Sequence, residues 1–293
     1  MISVYDETQM ILKNYKIQAN KSLGQNFLVD DNIINKIIDS SDLSKEDLVI
    51  EIGPGLGVLT NQLLQKAYKV IAIEIDEKMV EVISDRFKFF SNLKIINDDV
   101  LKVNLNELIK LEKKEALING TKIRSVKVVA NLPYYISTPI IMKLLEERLD
   151  INSIIVMVQK EVADRLIAKT GTKLSGAITY AVEYYAETEE IVYVEKSSFI
   201  PSPKVDSKVI KLKIRKEPKT SVEDEQLLFD IIKKSFTQRR KTLVNALVNY
   251  NFVKNKDEAV KILKDIGLST NVRGEVLTLE KFAELNKQIN SQK

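Results

Sequence analysis

Glu51-Ile52-Gly53-Pro54-Gly55-Leu56-Gly57 is the stretch whose reading decides the fold. It follows an apolar, β-branched run, Leu48 to Ile52, and leads into a helical pattern, Val58 to Lys66. Glycines in a strand-to-helix turn let the backbone approach a ligand at the carboxyl end of the strand. Alone, such a loop serves as a tight turn, a dinucleotide pyrophosphate site or a methyl-donor site. Its neighbours narrow the choice.

Working outward, further strands are expected at Lys69 to Glu74, Leu93 to Asn97, Val126 to Ala130, Ser153 to Gln159, Glu190 to Val194 and Lys208 to Ile214. Helical patterns fall between them at Glu77 to Lys88, Pro139 to Leu149 and Lys160 to Ile167, with a further helix over Leu174 to Ala186. Alternation of this kind builds βαβ units on a mostly parallel sheet, here of seven strands. The last two strands lack a long intervening helix and are expected to form an antiparallel edge. Lys110 to Arg124 reads as a polar, exposed insertion. Beyond Val222 the pattern changes to short amphipathic helices, at Gln226 to Phe236, Thr242 to Asn249, Asp257 to Ile266 and Thr278 to Gln288. A smaller all-helical domain, 217–293, is therefore expected after a sheet domain, 1–216, that carries an N-terminal extension, 1–20. The polar stretch Lys216 to Ser221, with its proline, marks the boundary.

Three strand ends add to the glycine loop. Glu74 closes the second strand, where a carboxylate can accept both ribose hydroxyls of an adenosine. Asp98-Asp99-Val100 closes the third, placing a carboxylate within reach of an adenine amino group. Asn131 closes the fourth. Glu74 suits NAD as well, whereas the three together favour S-adenosylmethionine, an adenosine without pyrophosphate. Each acid alone reads more readily as a helix cap or a solvated loop residue; it is their order that points to a ligand.

Asn131-Leu132-Pro133-Tyr134-Tyr135 combines an amide, a backbone carbonyl and a flat ring at the end of a buried run. The exocyclic amine of adenine is a poor nucleophile, because its lone pair is delocalised into the ring. Donating its protons to the Asn131 side-chain oxygen and the Leu132 carbonyl favours a more pyramidal nitrogen. Tyr134 is expected to stack on the base and Pro133 to set the turn, with Thr138 as a helix N-cap and Pro139 as the first helical residue. Ser197 to Ser207, stiffened by Pro201 and Pro203, offers Phe199 for the opposite face of the base.

The chain has 293 residues, 44% hydrophobic and 29% charged, enough for a full core. It lacks cysteine and histidine, which excludes disulfides, thiolate nucleophiles, cysteine-zinc sites and imidazole as base or ligand. No metal site is expected. A methyl group on a sulfonium needs alignment with an acceptor lone pair rather than an acid catalyst, so none of these is missed. The net charge of +4 permits a nucleic-acid partner without requiring one. Met1 to Lys21 has no secretory apolar region, and no stretch approaches membrane-spanning length, so a cytoplasmic location is expected.

Lys21 to Leu28, Glu51 to Thr60, Asn131 to Ile140 and Ser197 to Ser207 together resemble, in order and over nearly the whole chain, the signatures of the ribosomal RNA adenine dimethylases. Leu56, Tyr135 and Pro139 look more like the bacterial small-subunit branch than the 23S RNA branch of macrolide resistance. The resemblance implies a Rossmann-like methyltransferase sheet and dimethylation of two adjacent adenosines near the 3′ end of 16S ribosomal RNA, with S-adenosylmethionine as donor. It also implies a role in small-subunit maturation. Carried over by position, donor contacts fall on Asn26, Leu28, Gly53, Glu74, Asp99 and Asn131, and target-base contacts on Asn131, Leu132, Pro133, Tyr134 and Phe199. Asn26 stands where many members carry histidine, and Leu132 where other adenine methylases often place a second proline. The basic run Lys233 to Lys241 is expected to meet phosphates of 16S RNA in the 30S subunit or its precursor, by a monomer. Three other readings compete: a 23S RNA methylase, a non-catalytic ribosome-assembly factor, and an NAD-dependent dehydrogenase that leaves Asn131 to Tyr135 unexplained.

Overall fold

The computed structural model describes residues 2–237 and 240–291; Gln238 and Arg239, within the basic run, lie outside the described residues. In chain order the elements are α1 (Val4–Asn14), β1 (Phe27–Leu28), α2 (Asp31–Ser40), β2 (Asp47–Ile52), α3 (Val58–Lys66), β3 (Lys69–Glu74), α4 (Glu77–Arg86), β4 (Leu93–Asn97) and α5 (Leu105–Ile118). They continue with β5 (Ser125–Asn131), α6 (Ser137–Glu146), β6 (Ser153–Gln159), α7 (Lys160–Ile167), α8 (Ala177–Tyr185), β7 (Ala186–Val194), β8 (Phe199–Ile200) and β9 (Ser207–Ile214). The last helices are α9 (Glu225–Thr237), α10 (Leu243–Asn249), α11 (Lys256–Asp265) and α12 (Leu279–Asn290).

Seven strands form one sheet in the order β4-β3-β2-β5-β6-β9-β7. Every residue of β2 is buried, as are all of β6 but Gln159, because parallel central strands are covered on both faces. Strand β4, at one edge, is only partly buried. The chain runs outward from β2 through β3 to β4, then returns to lay β5 parallel on the other side of β2, pairing Ile52 with Ala130. That reversal opens a crevice at the carboxyl ends of β2 and β5, where ligands bind in open α/β sheets. The antiparallel strand is β9, which pairs with β6 and separates it from β7.

Local differences from the sequence reading have physical causes. The stretch from Lys110 is largely helix, because Leu105, Leu108, Ile109 and Ala116 keep helical spacing and bury one face of α5. The charge between them is also partly buried: Glu112, 1% exposed, pairs with Lys69 at 2.5 Å and Lys94 at 2.7 Å. Helix α6 starts at Ser137 with Ile136 at the cap position, so Thr138 is not its N-cap and Pro139 is its third residue. Proline is tolerated there because first-turn N–H groups have no intrahelical acceptor. Residues 4–14, in the expected extension, form α1, whose Ile11 joins Ile17, Phe27, Leu56, Met79 and Val82 in one cluster.

By contacts the chain divides into two units, one made of residues up to Ala163 with Glu189–Ile214, the other of Asp164–Thr188 with the chain from Arg215 onward. The division differs from a single cut after residue 216 because α8 belongs with the later helices. Tyr180 packs against Phe236 and Phe282, with ring centroids 5.4 and 5.2 Å away, and Tyr184 lies 5.3 Å from Phe229. The Tyr180 hydroxyl donates to the Leu277 carbonyl at 2.6 Å, and the Tyr184 hydroxyl donates to Glu225 at 3.0 Å. An apolar, tyrosine-rich helix with no charged face of its own needs such partners.

Candidate active site

The crevice between β2 and β5 opens into a cavity of about 1070 Å³, counting the part that meets solvent, walled entirely by the sheet unit. Its floor is the glycine loop. Gly53, Gly55 and Gly57 have φ of +67°, +55° and +80°, the left-handed region that side chains disfavour. Gly57 opens α3 without a side-chain cap, since the turn leaves no space for one. A Cβ on Gly57 would sit 2.5 Å from the ring of Phe87. The guanidinium of Arg86 donates to the Leu56 carbonyl and pairs with Glu7 of α1, so the loop is tied to the N-terminal helix.

Glu74, 6% exposed, folds the loop over its own carboxylate. It accepts from the Gly55 N–H at 3.2 Å and from the Asp76 N–H at 2.9 Å. Burial pushes its pKa up, against the lowering effect of those N–H groups. Asp98 and Asp99 both border the cavity, Asp98 exposed and Asp99 half-buried. Asp98 accepts from the Asp99 N–H at 2.7 Å, and Asp99 from the Leu101 N–H at 3.0 Å, so each also shapes its own turn.

Asn131 ends β5 and its amide group is oriented. Its Nδ2 donates to the Asn26 carbonyl at 3.2 Å, which leaves the Oδ1 to accept from a ligand. Asn26 is held in turn by donation from its own Nδ2 to the Gly24 carbonyl at 3.0 Å. The Leu132 side chain is buried, and its N–H extends the sheet by donating to the Met157 carbonyl at 3.1 Å. A proline at 132 has no N–H for that bond. Tyr134 is half-buried, its hydroxyl shared with Ser207 at 2.7 Å, and burial pushes its pKa up. The hydroxyl anchor holds the ring at the cavity wall, next to Pro133.

Asn26, Leu28, Gly53, Glu74, Asp99, Asn131, Leu132, Pro133 and Tyr134 thus share one cavity. Phe199 does not line it. It is 3% exposed in β8, pairs with Leu28 of β1, and its ring belongs to the core. Two-residue strands carry no periodic pattern, so nothing in the sequence distinguishes such a ring from a clamp. The residues that the sequence reading missed are Gln25 and Glu51. Gln25 borders the cavity, accepts from the Asn20 N–H at 2.8 Å and donates to Asp76 at 2.7 Å. The charged residue Glu51 inside an apolar strand is a signal that could have been used.

Glu51 is 1% exposed and accepts from the Thr60 hydroxyl at 2.6 Å. Burial, with a smaller contribution from the Glu74 charge, pushes its pKa from 4.5 up to about 8. The folded chain therefore keeps a proton that the unfolded chain loses above pH 4.5. Stability falls as pH rises through the window from 4.5 to about 8, and the loss is complete above it. Glu51→Gln, which can still accept from Thr60, is expected to flatten that fall and to stabilise the chain by about 2 to 4 kcal/mol above pH 8. Urea midpoints of the two proteins at pH 5.5, 7 and 8.5 check this; parallel curves refute it.

The cavity wall carries three carboxylates, Glu74, Asp98 and Asp99, beside the protonated Glu51, and among the described residues no lysine or arginine lines it. An anionic pyrophosphate meets repulsion there, whereas a donor with a sulfonium and an ammonium does not.

Comparisons with known proteins agree with this geometry. A family model described as ribosomal RNA adenine dimethylase matches residues 16–289. A protein of Geobacillus sp. (strain WCH70) named ribosomal RNA small subunit methyltransferase A is 46% identical over 98% of this chain and 97% of its own length. One of the same name from Clostridioides difficile (strain 630) is 45% identical over 99% and 97%. A solved dimethyladenosine transferase from Plasmodium falciparum, 27% identical, aligns with a TM-score of 0.74 over 91% of this chain and 98% of that one. The 23S rRNA methyltransferase ErmE, 22% identical with a TM-score of 0.65, shares the fold. A seven-stranded crevice that presents an oriented amide opposite a glycine loop, with matching signatures along its whole length, places this chain in the ribosomal RNA adenine dimethylase family.

Proposed function

We infer that this chain uses S-adenosylmethionine to dimethylate the exocyclic amines of two adjacent adenosines near the 3′ end of 16S ribosomal RNA. The observation that carries the reading is the Asn131 amide, whose nitrogen is engaged by Asn26 and whose oxygen faces the task of accepting from an amine. The relatives' names point to the small subunit.

The acidic cavity fits the donor, which when bound supplies an electrophilic methyl carbon on a sulfonium. Gly53 and Gly55 let the loop backbone approach it, Glu74 accepts from its ribose hydroxyls, and Asp99 accepts from its adenine amine. Asn26 and Leu28 close the near wall. On the acceptor side, the Asn131 Oδ1 and the Leu132 carbonyl accept hydrogen bonds from the two N–H groups of the target amine, which turns its lone pair toward the methyl carbon. Tyr134 stacks on the base, and Pro133 fixes the turn that aims these groups. Phe199 acts at one remove, as the strand partner of Leu28. Alignment of this kind is the main contribution a protein makes to such a transfer.

The helical unit, through the basic segment around Lys234, Arg240 and Lys241, supplies phosphate contacts to the 30S subunit or its precursor. The chain acts as a monomer in the cytoplasm, where its substrate is assembled. Among the described residues no helix is long and apolar enough to cross a membrane. Mass mapping of 16S and 23S RNA after incubation of unmethylated ribosomal subunits with the chain and donor tests the reading. Dimethyladenosine is expected at two neighbouring positions of 16S RNA. Product in 23S RNA alone, or none with either, overturns it.

A further inference from the structure

Tyr134 and Tyr135 are consecutive, yet the fold treats them differently. The Tyr134 hydroxyl is held by Ser207 and its ring is half-buried. Tyr135 also borders the cavity but is 55% exposed. Its hydroxyl makes no hydrogen bond among the described residues, so what the position offers is the ring. Behind it lies Gly24, with φ of +63°, where an added Cβ would sit 3.4 Å and 3.6 Å from two ring carbons. The Cδ1 and Cε1 side of the ring thus lies close to the Gly24 turn, and more than half of the residue is open to water at the mouth of the cavity.

An aromatic face left in solvent beside a base-binding cavity has an obvious class of ligand. A target base that enters the cavity remains covalently joined to its neighbours, so a flanking nucleotide must pass the rim. We propose that Tyr135 is a stacking platform for the base of a nucleotide flanking the target adenosine, and that it sets affinity for RNA rather than for the methyl donor. The inference rests on the proposed function and extends it from the target base to its neighbour. Stacking on an aromatic side chain suits any base, because each presents a π-face. It is also lost without loss of fold, since the ring is exposed and contributes little to the core.

Kinetics and binding with unmethylated 30S subunits test the platform. Tyr135→Ala is expected to raise KM for the subunit, and its dissociation constant measured without donor, roughly tenfold. The KM for S-adenosylmethionine stays within twofold, and Tyr135→Phe keeps the values of the parent. Subunits reconstituted with an abasic nucleotide on one side of the target, each side in turn, supply the partner deletion. On one side the parent is expected to weaken as Tyr135→Ala does, and the variant to weaken no further. Unchanged subunit affinity in Tyr135→Ala, equal loss of donor affinity, equal loss in Tyr135→Phe, or additive losses on both sides each overturn the proposal. Because subunit binding is read without donor, absence of methyl transfer by the parent counts against the proposed function and not against the platform.

Discussion

Asn131→Ala is expected to lower kcat/KM for methyl transfer to unmethylated 30S subunits by roughly a hundred- to a thousandfold, the range seen when one preorganised polar contact to a reacting centre is removed. The magnitude follows from two losses at once. The Oδ1 proposed to accept from the target amine disappears, and so does the Nδ2 donor that ties the end of β5 to the Asn26 carbonyl. Asn131→Asp separates them, because it retains an acceptor oxygen but cannot donate to Asn26. It is expected to fall between parent and alanine variant. Incorporation of radiolabelled methyl into 16S RNA measures both, and calorimetry with S-adenosylmethionine reports whether the donor site survives. Parent-level activity in Asn131→Ala would falsify the amine contact.

Gly57→Ala is expected to have the second largest effect, on folding and donor binding together. The residue has φ of +80°, which costs about 1 to 2 kcal/mol for any L side chain. Its new Cβ would lie 2.5 Å from Phe87 Cε2 and 3.2 Å from Ile83 Cγ2. Phe87 is 4% exposed and Ile83 fully buried, so neither can swing aside. Relieving such a clash typically costs about 1 to 3 kcal/mol. The sum, about 2 to 5 kcal/mol, is a large part of the stability of an ordinary domain. A lowered denaturation midpoint with weakened donor binding is the expected result. Gly120→Ala, at φ of +78° with nothing within 4 Å of the added atom, carries the backbone cost alone and serves as the control.

These two positions also show what was legible in the sequence. The glycine loop and Asn131 could be placed because each follows a continuous apolar run, and such runs are how buried parallel strands announce themselves. The strand ends then followed, and with them Glu74 and Asp99. The N-terminal part of the site was legible only through resemblance. Asn26 meets Asn131 through its main-chain carbonyl, and Leu28 sits in a two-residue strand paired with residues 199–200. Neither a carbonyl nor so short a strand leaves a periodic trace. Phe199 was misplaced for the same reason. Thr138 and Pro139 form a sequence that imitates a helix start, but the turn at Pro133 lets the helix begin earlier, with Ile136 donating to the Pro133 carbonyl at 3.2 Å. Glu51 could have been read as unusual, yet its proton and its bond to Thr60 depend on burial that only the assembled sheet creates.

The membership of α8 in the helical unit has a consequence for synthesis. The Tyr180 hydroxyl reaches a carbonyl that lies 97 residues further along the chain. At translation speeds of about 5 to 20 residues per second, that partner is made roughly 5 to 20 seconds later. Tyr184 and Tyr185 wait a shorter time, since Glu225 lies 41 and 40 residues beyond them, but until it and the later rings are made all three tyrosines have left the polymerising end without the groups that cover them. The nascent chain therefore carries a temporary aromatic surface of its own, a natural landing place for the holding factors that attend emerging polypeptides.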